Sequence, residues 1–170
     1  FGEGVVAHVA FARPFCDSLT GVLYEAARRL DIMSHKGGVY ACMEGPAFSS
    51  KAESEMHRKL GYSIIGMTAI PEAKLAREAE MCYSTIAVVT DYDCWKEGEE
   101  VSVEVVVENL FANIANAQAL IERVLPQLAQ APRECGCGKA LEGAIFTSPG
   151  AIRPEAFKKL ELLIGKYVAA

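Results

Sequence analysis

The chain has 170 residues, of which 51% are hydrophobic, and this is enough for one domain with a sizeable core. Its 17 basic residues are outnumbered by 22 acidic ones, and the net charge of -5 argues against binding to nucleic acid, which requires a basic patch. No apolar stretch approaches the ~20 residues that span a bilayer and no basic signal peptide opens the chain, so we expect a cytoplasmic protein without membrane contact.

The chain begins with Phe1 rather than Met, directly before the apolar, strand-like residues 5–11. Because a sheet needs neighbouring strands to be stable, this beginning indicates that upstream sequence is missing. Pro14 then ends the extended run and Asp17 opens an amphipathic helix, whose apolar residues recur at helical spacing on one face. After this helix the chain turns into another buried strand at residues 39–43.

Two further helices are predicted from their first turns. Ser50 and Glu53 form a capping box, which predicts a helix over residues 51–60. Pro71 suits the first turn of the next helix, over residues 72–81, because proline lacks only a donor that would have no partner there.

Two more short runs, residues 63–67 and 83–89, are almost wholly apolar and rich in β-branched side chains. They show no alternation, as expected for strands that are covered on both faces. Strands that alternate with helices of about ten residues imply crossover connections. The sequence therefore predicts an α/β fold, with a mixed or largely parallel sheet flanked by helices.

A long helix is predicted to start at Ser102 and to end before Pro126, which disrupts a helix interior. Its apolar residues at spacings of three and four are Val103, Val106, Val107, Leu110, Ile114, Ala117, Ile121 and Val124. Residues 129–148 are the least regular part, and Pro154 starts a short terminal helix. No repeat or linker marks a second domain, and the tail after Ala144 suggests no function of its own.

Functional side chains are expected where two of the apolar runs end. Met67 and Thr68 close one run, and Thr90, Asp91 and Asp93 close the other. Polar groups collected at strand ends are how an open α/β sheet builds a small-molecule site. From the residues alone, the two aspartates fit equally a turn rich in Asx residues.

The wider context of these residues is specific. The span from Ala-Cys-Met-Glu-Gly-Pro-Ala-Phe-Ser-Ser-Lys-Ala-Glu-Ser at 41–54 through Asp-Cys-Trp-Lys-Glu at 93–97 resembles that of the 5'-methylthioadenosine phosphorylases, in the trimeric purine nucleoside phosphorylase superfamily. The resemblance runs from His8 to about Leu125. It implies that residues 1–170 are the C-terminal portion of a single nucleoside phosphorylase domain, without the early strands and the phosphate-binding loop.

The resemblance implies roles for individual residues. Asp91 would face N7 of a purine and supply a proton as the glycosidic bond breaks, while Asp93 would accept hydrogen bonds from the 6-amino group. Phe48 would stack beside the purine, Met67 would pack against the ribose, and Thr68 would donate to phosphate. The remaining implied pocket residues are Ile65 and Thr90 beside the nucleoside, and Val103, Val106 and a neighbouring subunit's His8 around the 5' group.

Several of these residues have a plainer interpretation. Phe48 and the two valines also fit a hydrophobic core, and a methionine within a strand is usually a filler of irregular gaps. A histidine in an apolar strand, such as His8, is more often a core residue with satisfied hydrogen bonds. The sequence alone leaves these alternatives open.

Six cysteines in a cytoplasmic protein are ordinarily reduced thiols. The resemblance implies instead the disulfides of thermophilic family members, with Cys16 paired to Cys82 and Cys135 paired to Cys137. From the residues alone, Cys16 and Cys82 fit equally well as small buried hydrophobes. No second Cys or His pair lies near Cys135 at zinc spacing, so no metal site is expected.

The implied reaction is the phosphorolysis of 5'-deoxy-5'-methylthioadenosine to adenine and 5-methylthioribose 1-phosphate, in purine and methionine salvage. The resemblance implies a homotrimer or hexamer with phosphate as co-substrate and no metal or organic cofactor. Two alternatives remain open: a purine nucleoside phosphorylase of broad specificity, and a non-catalytic partner chain or remnant without the phosphate loop. In either enzyme, a companion chain could carry the N-terminal part.

Overall fold

The computed structural model describes residues 1–96 and 103–168, and these form two compact units. Unit 1 consists of Phe1–Leu19, Pro71–Ser84 and the described part of Glu134–Ala170, and unit 2 consists of Thr20–Ile70 and Thr85–Arg133. In chain order the elements are α1 (Asp17–Arg29), β1 (Tyr40–Cys42), α2 (Lys51–Lys59), β2 (Ile64–Gly66), α3 (Ala69–Glu78), α4 (Val103–Gln130) and α5 (Pro154–Val168). Short 3-10 turns lie at Gly136–Lys139 and Pro149–Ala151.

The sheet of unit 2 consists of two parallel strands, with Tyr40 of β1 opposite Ile64 of β2 and Cys42 opposite Gly66. The helix α2 lies between them in sequence, as a parallel connection requires. Gly66 is packed closely, since a Cβ atom placed on it would lie 2.9 Å from Cζ of Tyr40. The combination of helices with a small parallel sheet confirms the predicted α/β class.

The capping box predicted for α2 is present. The Ser50 side chain accepts a hydrogen bond from the Glu53 N–H, and the Glu53 carboxylate accepts one from the Ser50 N–H. Gly61 follows the helix with a φ of +75°, a left-handed conformation that glycine adopts without steric cost. Local sequence therefore determines both ends of α2.

Two segments predicted as strands do not form strands. Residues 5–11 make one isolated antiparallel bridge, between Ala7 and Ile145, and residues 83–89 belong to no strand of the described chain. The backbone of the second segment bonds to other groups: its Tyr83 carbonyl accepts from the Cys16 N–H. The prediction of strands was wrong here because an extended apolar run forms a strand only where a neighbouring strand completes its hydrogen bonds.

The helix boundaries differ from prediction in two places. α3 begins at Ala69, before Pro71, and ends at Glu78. α4 continues through Pro126 to Gln130, because proline removes a single backbone donor and the following turn still bonds, with the Ala131 N–H donating to the Gln127 carbonyl. The predicted start of α4 at Ser102 lies outside the described residues.

Each unit has its own apolar core. In unit 2, Leu120 and Val124 of α4 pack with Ala26 and Ala27 of α1. In unit 1, α5 packs against Val5 in a cluster whose buried members are Val5, Ala156 and Ile164. The tail after Ala144, to which the sequence assigned no function, therefore builds the core of unit 1.

A buried carboxylate links the C-terminal part of unit 1 to the end of α3. Glu80 is 9% exposed, and it accepts hydrogen bonds from the Leu141 N–H and the Tyr167 hydroxyl and pairs with Lys166. Burial raises the pKa of Glu80, but the bonds from Lys166, from Tyr167 and from the backbone outweigh it and hold the pKa below its ordinary value of 4.5.

Among the described helices, none is both long and apolar enough to traverse a lipid bilayer.

Candidate functional site

The carboxyl ends of β1 and β2 lie at the same edge of the sheet, because the two strands are parallel. The loop 43–50 leaves β1 at this edge, and Met67 and Thr68 leave β2. The backbone at Gly45 approaches Met67 so closely that a Cβ there would lie 3.0 Å from Sδ of Met67. The structure thus brings together two of the segments that were expected to bind the nucleoside.

The aspartate segment, residues 89–94, is fixed in part by its own hydrogen bonds. Oδ1 of Asp91 accepts from the Asp93 N–H at 2.9 Å, and Oδ2 of Asp91 accepts from the Thr90 hydroxyl at 2.7 Å. Asp93 has a φ of +61°, in the left-handed region that aspartate tolerates better than most residues. The turn expected from Asx residues is therefore present, and it orients both carboxylates.

Asp93 also contacts α2. The hydroxyl of Ser54 donates to Oδ2 of Asp93 at 2.6 Å, and the Cys94 N–H donates to Oδ1 at 2.8 Å. Ser54 is 1% exposed, so its hydroxyl has been taken out of water to make this bond. Sequence reasoning missed Ser54, although a serine on the inner face of an otherwise charged helix signals a buried polar partner.

Two asparagines of α4 hold the same segment from another side. Nδ2 of Asn109 donates to the Thr90 carbonyl at 2.9 Å, and Nδ2 of Asn113, one turn further along the helix, donates to the Val89 carbonyl at 2.9 Å. Sequence reasoning also missed these residues, because only the apolar stripe of α4 was used to predict the helix and its contacts. They hold the aspartate segment beside the helix that carries Val106.

Contacts between aromatic rings and with cations fix the chain around Asp93. The Arg58 guanidinium of α2 lies 4.2 Å from the centre of the Trp95 ring, and the Lys96 ammonium lies 3.8 Å from that of Tyr92. The rings of Tyr92 and Trp95 contact each other edge to face, at 5.9 Å. Such contacts are worth about 0.5–2 kcal/mol each, so they add to the rigidity of this turn.

The other expected pocket residues are distributed as follows. Phe48 is 83% exposed, and Thr68 and Asp91 are also exposed. The half-buried residues are Ile65, Met67, Thr90, Asp93 and Val106. The loop 43–50 reaches the aspartate segment through Cys94, whose Sγ lies 3.7 Å from the Ser49 carbonyl oxygen. The side chain of Val103 lies outside the described residues.

His8 belongs to unit 1 and is exposed, so it is not the buried core histidine considered above. The His8 ring contacts the Phe146 ring edge to face at 4.9 Å, and the backbone N–H of His8 donates to the Ala144 carbonyl. The role around the 5' group stays a prediction.

A second cluster of reactive groups lies in unit 1. The Sγ atoms of Cys16, Cys82, Cys135 and Cys137 all lie within 4.8 Å of one another, and each of the four is a free thiol. The distance between Sγ of Cys82 and Sγ of Cys135 is 3.2 Å. Since the four thiols share one cluster, the pairing of Cys16 with Cys82 and of Cys135 with Cys137 stays a prediction.

The thiols differ in acidity. Burial raises the pKa of Cys82 to about 12, with help from Cys135, and burial with the same neighbour raises that of Cys137 to about 11. Burial also raises the pKa of Cys135, but hydrogen bonds from the Cys137 N–H and from the other thiols outweigh it and lower the pKa to about 7. One thiol of the cluster therefore ionises near neutral pH, and its charge suppresses ionisation of the others.

Comparison with known proteins places this geometry in context. The S-methyl-5'-thioadenosine phosphorylase of Geobacter sulfurreducens is 50% identical over 169 residues, which cover 99% of this chain and 59% of that protein. That of Thermosynechococcus vestitus is 47% identical, over 99% of this chain and 60% of its own length. The chain thus spans about 60% of the length of these curated relatives.

A solved structure gives the same result. A methylthioadenosine phosphorylase from an antarctic soil metagenomic library superposes with a TM-score of 0.89 at 41% identity, over 96% of this chain and 58% of that one. Residues 1–126 match the family model of the Phosphorylase superfamily, and this span includes β1, β2 and the aspartate segment. The chain belongs to the phosphorylase superfamily.

Proposed function

We propose that this chain is the nucleoside-binding portion of a 5'-methylthioadenosine phosphorylase. The whole protein would convert 5'-deoxy-5'-methylthioadenosine and phosphate to adenine and 5-methylthioribose 1-phosphate. The observation that carries the proposal is the aspartate segment, which is bonded to α2 through Asp93, to α4 through the Thr90 carbonyl and to the loop after β1 through Cys94. Relatives at 50% and 47% identity that bear this enzyme's name support it.

Asp93 is suited to bind an amino group. Its two oxygens accept from Ser54 and from the Cys94 N–H, and each retains a lone pair for a further donor. A carboxylate accepts from a 6-amino group but has no hydrogen to donate to a 6-oxo group, so Asp93 would favour adenine over hypoxanthine. Leaving a buried acceptor without a partner is the physical cost that rejects the wrong base.

Asp91 would act on the leaving purine. As the glycosidic bond breaks, electron density moves into the ring, and a carboxyl group that shares or supplies a proton at N7 stabilises this charge. The bonds from Thr90 and from the Asp93 backbone orient the Asp91 carboxyl before substrate arrives. Such preorganisation lowers the barrier because no reorientation is needed during the reaction.

The sugar and phosphate would lie along the strand ends. Met67 offers an apolar surface to the ribose, and the exposed hydroxyl of Thr68 is available to donate to phosphate. Since the curated relatives are longer than this chain, we assign most phosphate contacts to a further part of the protein, in the same polypeptide or in a companion chain. Val103, Val106 and a neighbouring subunit's His8 would enclose the 5'-methylthio group.

We further propose a cytoplasmic homotrimer, on the strength of the implied contact between His8 and a neighbouring subunit. The exposure of His8 is compatible with such a contact. Native mass spectrometry of the isolated assembly would test both this state and the companion chain. A monomer of this chain alone that releases adenine would contradict both.

The reaction itself is tested by measuring free adenine released from 5'-methylthioadenosine by the natively isolated assembly, with and without phosphate. We expect release that depends on phosphate, and Asp91→Asn should lower kcat/KM by about a hundredfold or more. The matched control is Asp17→Asn, at an exposed aspartate of α1. Adenosine turned over as well as the 5'-methylthio substrate would favour the broad-specificity enzyme, and no release at all would favour the non-catalytic chain.

A further inference from the structure

Four cysteines from three separate segments meet in unit 1. Cys16 immediately precedes α1, Cys82 follows α3, and Cys135 and Cys137 lie at the 3-10 turn Gly136–Lys139. Cys16 is 3% exposed and Cys137 is 6% exposed, whereas Cys82 and Cys135 are half-buried, so the cluster is partly shielded from water. Thiol groups in such an arrangement are potential ligands for a soft metal ion.

The distances suit a single tetrahedral ion. Zinc binds thiolates at about 2.3 Å, and a tetrahedron of that size holds its sulfur atoms about 3.8 Å apart. Here the Sγ atoms of Cys82 and Cys135 are 3.2 Å apart, and no pair within the cluster exceeds 4.8 Å. The observed distances therefore bracket the required one, and the space between the sulfurs is too small for a cluster of several iron atoms.

We propose that Cys16, Cys82, Cys135 and Cys137 bind one Zn²⁺ ion as a structural tetrathiolate site. Four S–H bonds are replaced by four Zn–S bonds, four protons are released to solvent, and no electron is transferred. With four protein ligands the coordination is closed, which is typical of structural rather than catalytic zinc. The ion would join the segment before α1, the segment after α3 and the C-terminal part of unit 1.

Backbone N–H groups already point at two of the sulfurs. The Leu19 N–H, in the first turn of α1, donates to Sγ of Cys16 at 3.5 Å. The Cys137 N–H donates to the sulfur of Cys135. Four thiolates around Zn²⁺ carry a net charge of -2, and donors of this kind offset that charge and orient the ligands.

The sequence predicted no metal here, because zinc motifs are recognised by pairs of ligands at short, regular spacing. Cys82 and Cys135 are 53 residues apart in the chain, and only folding brings them together. The disulfides expected from the family resemblance would consume the same four thiols. Metal binding and disulfide formation are therefore exclusive, which makes the proposal testable.

The test uses the full chain, reduced with a phosphine, freed of metal and titrated with Co²⁺ and then Zn²⁺. We expect one equivalent of Co²⁺ to give the intense visible absorption of tetrahedral cobalt with thiolate charge transfer, and one equivalent of Zn²⁺ to abolish it. X-ray absorption at the zinc edge should show four sulfur neighbours at about 2.3 Å. These measurements on the wild-type chain need no variant to fold.

Variants identify the ligands. Cys82→Ala and Cys137→Ala should each lose the four-sulfur spectrum, whereas Cys94→Ala, at an exposed cysteine of unit 2, should retain it. Circular dichroism establishes that each variant is folded. The proposal is overturned if the reduced chain takes up no Co²⁺, if nitrogen or oxygen replaces sulfur in the zinc-edge spectrum, or if protein isolated with its thiols blocked contains two disulfides among these residues.

Discussion

Asp93 combines a left-handed backbone with a side chain whose two oxygens both accept hydrogen bonds. Backbone strain of this kind costs of order 1–3 kcal/mol and persists only where the surroundings impose it. At this position they do, through Ser54 on one side and Asp91 on the other. The position of the carboxylate thus depends in part on Ser54, to which no contact with the substrate is assigned.

Ser54 should act as a positioning residue for Asp93. Ser54→Ala removes a hydrogen bond to a carboxylate, worth about 1.5–3 kcal/mol, and we expect kcat/KM for 5'-methylthioadenosine to fall at least about tenfold in the native assembly. Steady-state kinetics give this value. Ser54→Thr, which keeps the hydroxyl, should recover most of it.

The matched control for this change is Ser148→Ala, at an exposed serine in unit 1 whose side chain caps no turn. A Ser54→Ala enzyme with the kcat/KM of the wild type would show that the bond to Asp93 has no role in binding or catalysis.

Glu80 makes a prediction about pH. Its pKa is depressed in the folded chain, so its contribution to stability is present above the unfolded-state pKa, near 4.5, and is lost as the pH falls through the lower folded value. At pH 7, Glu80→Gln should lower the free energy of unfolding by about 2 kcal/mol. Below about pH 4.5 the free energies of unfolding of the variant and the wild type should converge as the pH falls through the folded-state pKa. Urea unfolding across pH measures this.

Glu142→Gln, at an exposed glutamate, is the control for Glu80 and should match the wild type at every pH. A difference between Glu80→Gln and wild type that stays constant from neutral to acid pH would contradict the role of its ionisation.

At the level of single residues, the sequence could point to a candidate site but not to the residues that support it. Asp91 and Asp93 are recognisable because they follow an apolar run within a specific motif. Ser54, Asn109 and Asn113 carry no such mark, because a contact between a helix and a distant loop depends on the folded backbone. The family resemblance pointed to Cys16, Cys82, Cys135 and Cys137 as two pairs, but their meeting in one cluster depends on the folded backbone in the same way.

At the level of elements, helices were easier to predict than strands. The ends of α2 were correct because a capping box and a glycine act within a few residues. The strands predicted at residues 5–11 and 83–89 were wrong because strand formation depends on a partner segment elsewhere in the chain. The prediction that α4 ends before Pro126 was wrong for a different reason. A helix that packs into a buried core can tolerate the loss of one backbone hydrogen bond.

The sheet provides a prediction of its own. A methyl group on Gly66 would meet the ring of Tyr40, so Gly66→Ala should force the strands apart or displace the ring, at a cost of about 1–3 kcal/mol. Thermal unfolding should show a clearly lower Tm. Gly150→Ala, at a glycine with open space around its Cα, is the control, and equal Tm values for the two variants would rule out the clash.

At the level of the whole molecule, the candidate nucleoside site lies mostly in unit 2 and the thiol cluster in unit 1. Ligand binding and metal binding are therefore separable by experiment. Adenine, a product of the proposed reaction, is a probe for the candidate nucleoside site of unit 2.

Adenine should stabilise the native assembly. At a concentration a hundredfold above Kd, binding adds about 2.7 kcal/mol to the free energy of unfolding and raises Tm accordingly. Asp93→Ala should abolish the shift, whereas Asp17→Ala, at an exposed aspartate, should keep it. A full shift in Asp93→Ala, measured by scanning calorimetry, would remove Asp93 from the purine site.

The packing of Val5 beneath α5 has a consequence for how the protein is made. Val5 is synthesised before the residues that bury it, Ala156 and Ile164. The ion pair between Glu3 and Lys159 likewise joins a residue that is made earlier to one that is made later. Because domains fold as units during synthesis, unit 1 must wait, with an apolar segment uncovered, until translation has passed α5. Exposed apolar surface favours aggregation and chaperone binding, so the order of synthesis leaves the segment around Val5 open to both until α5 has emerged.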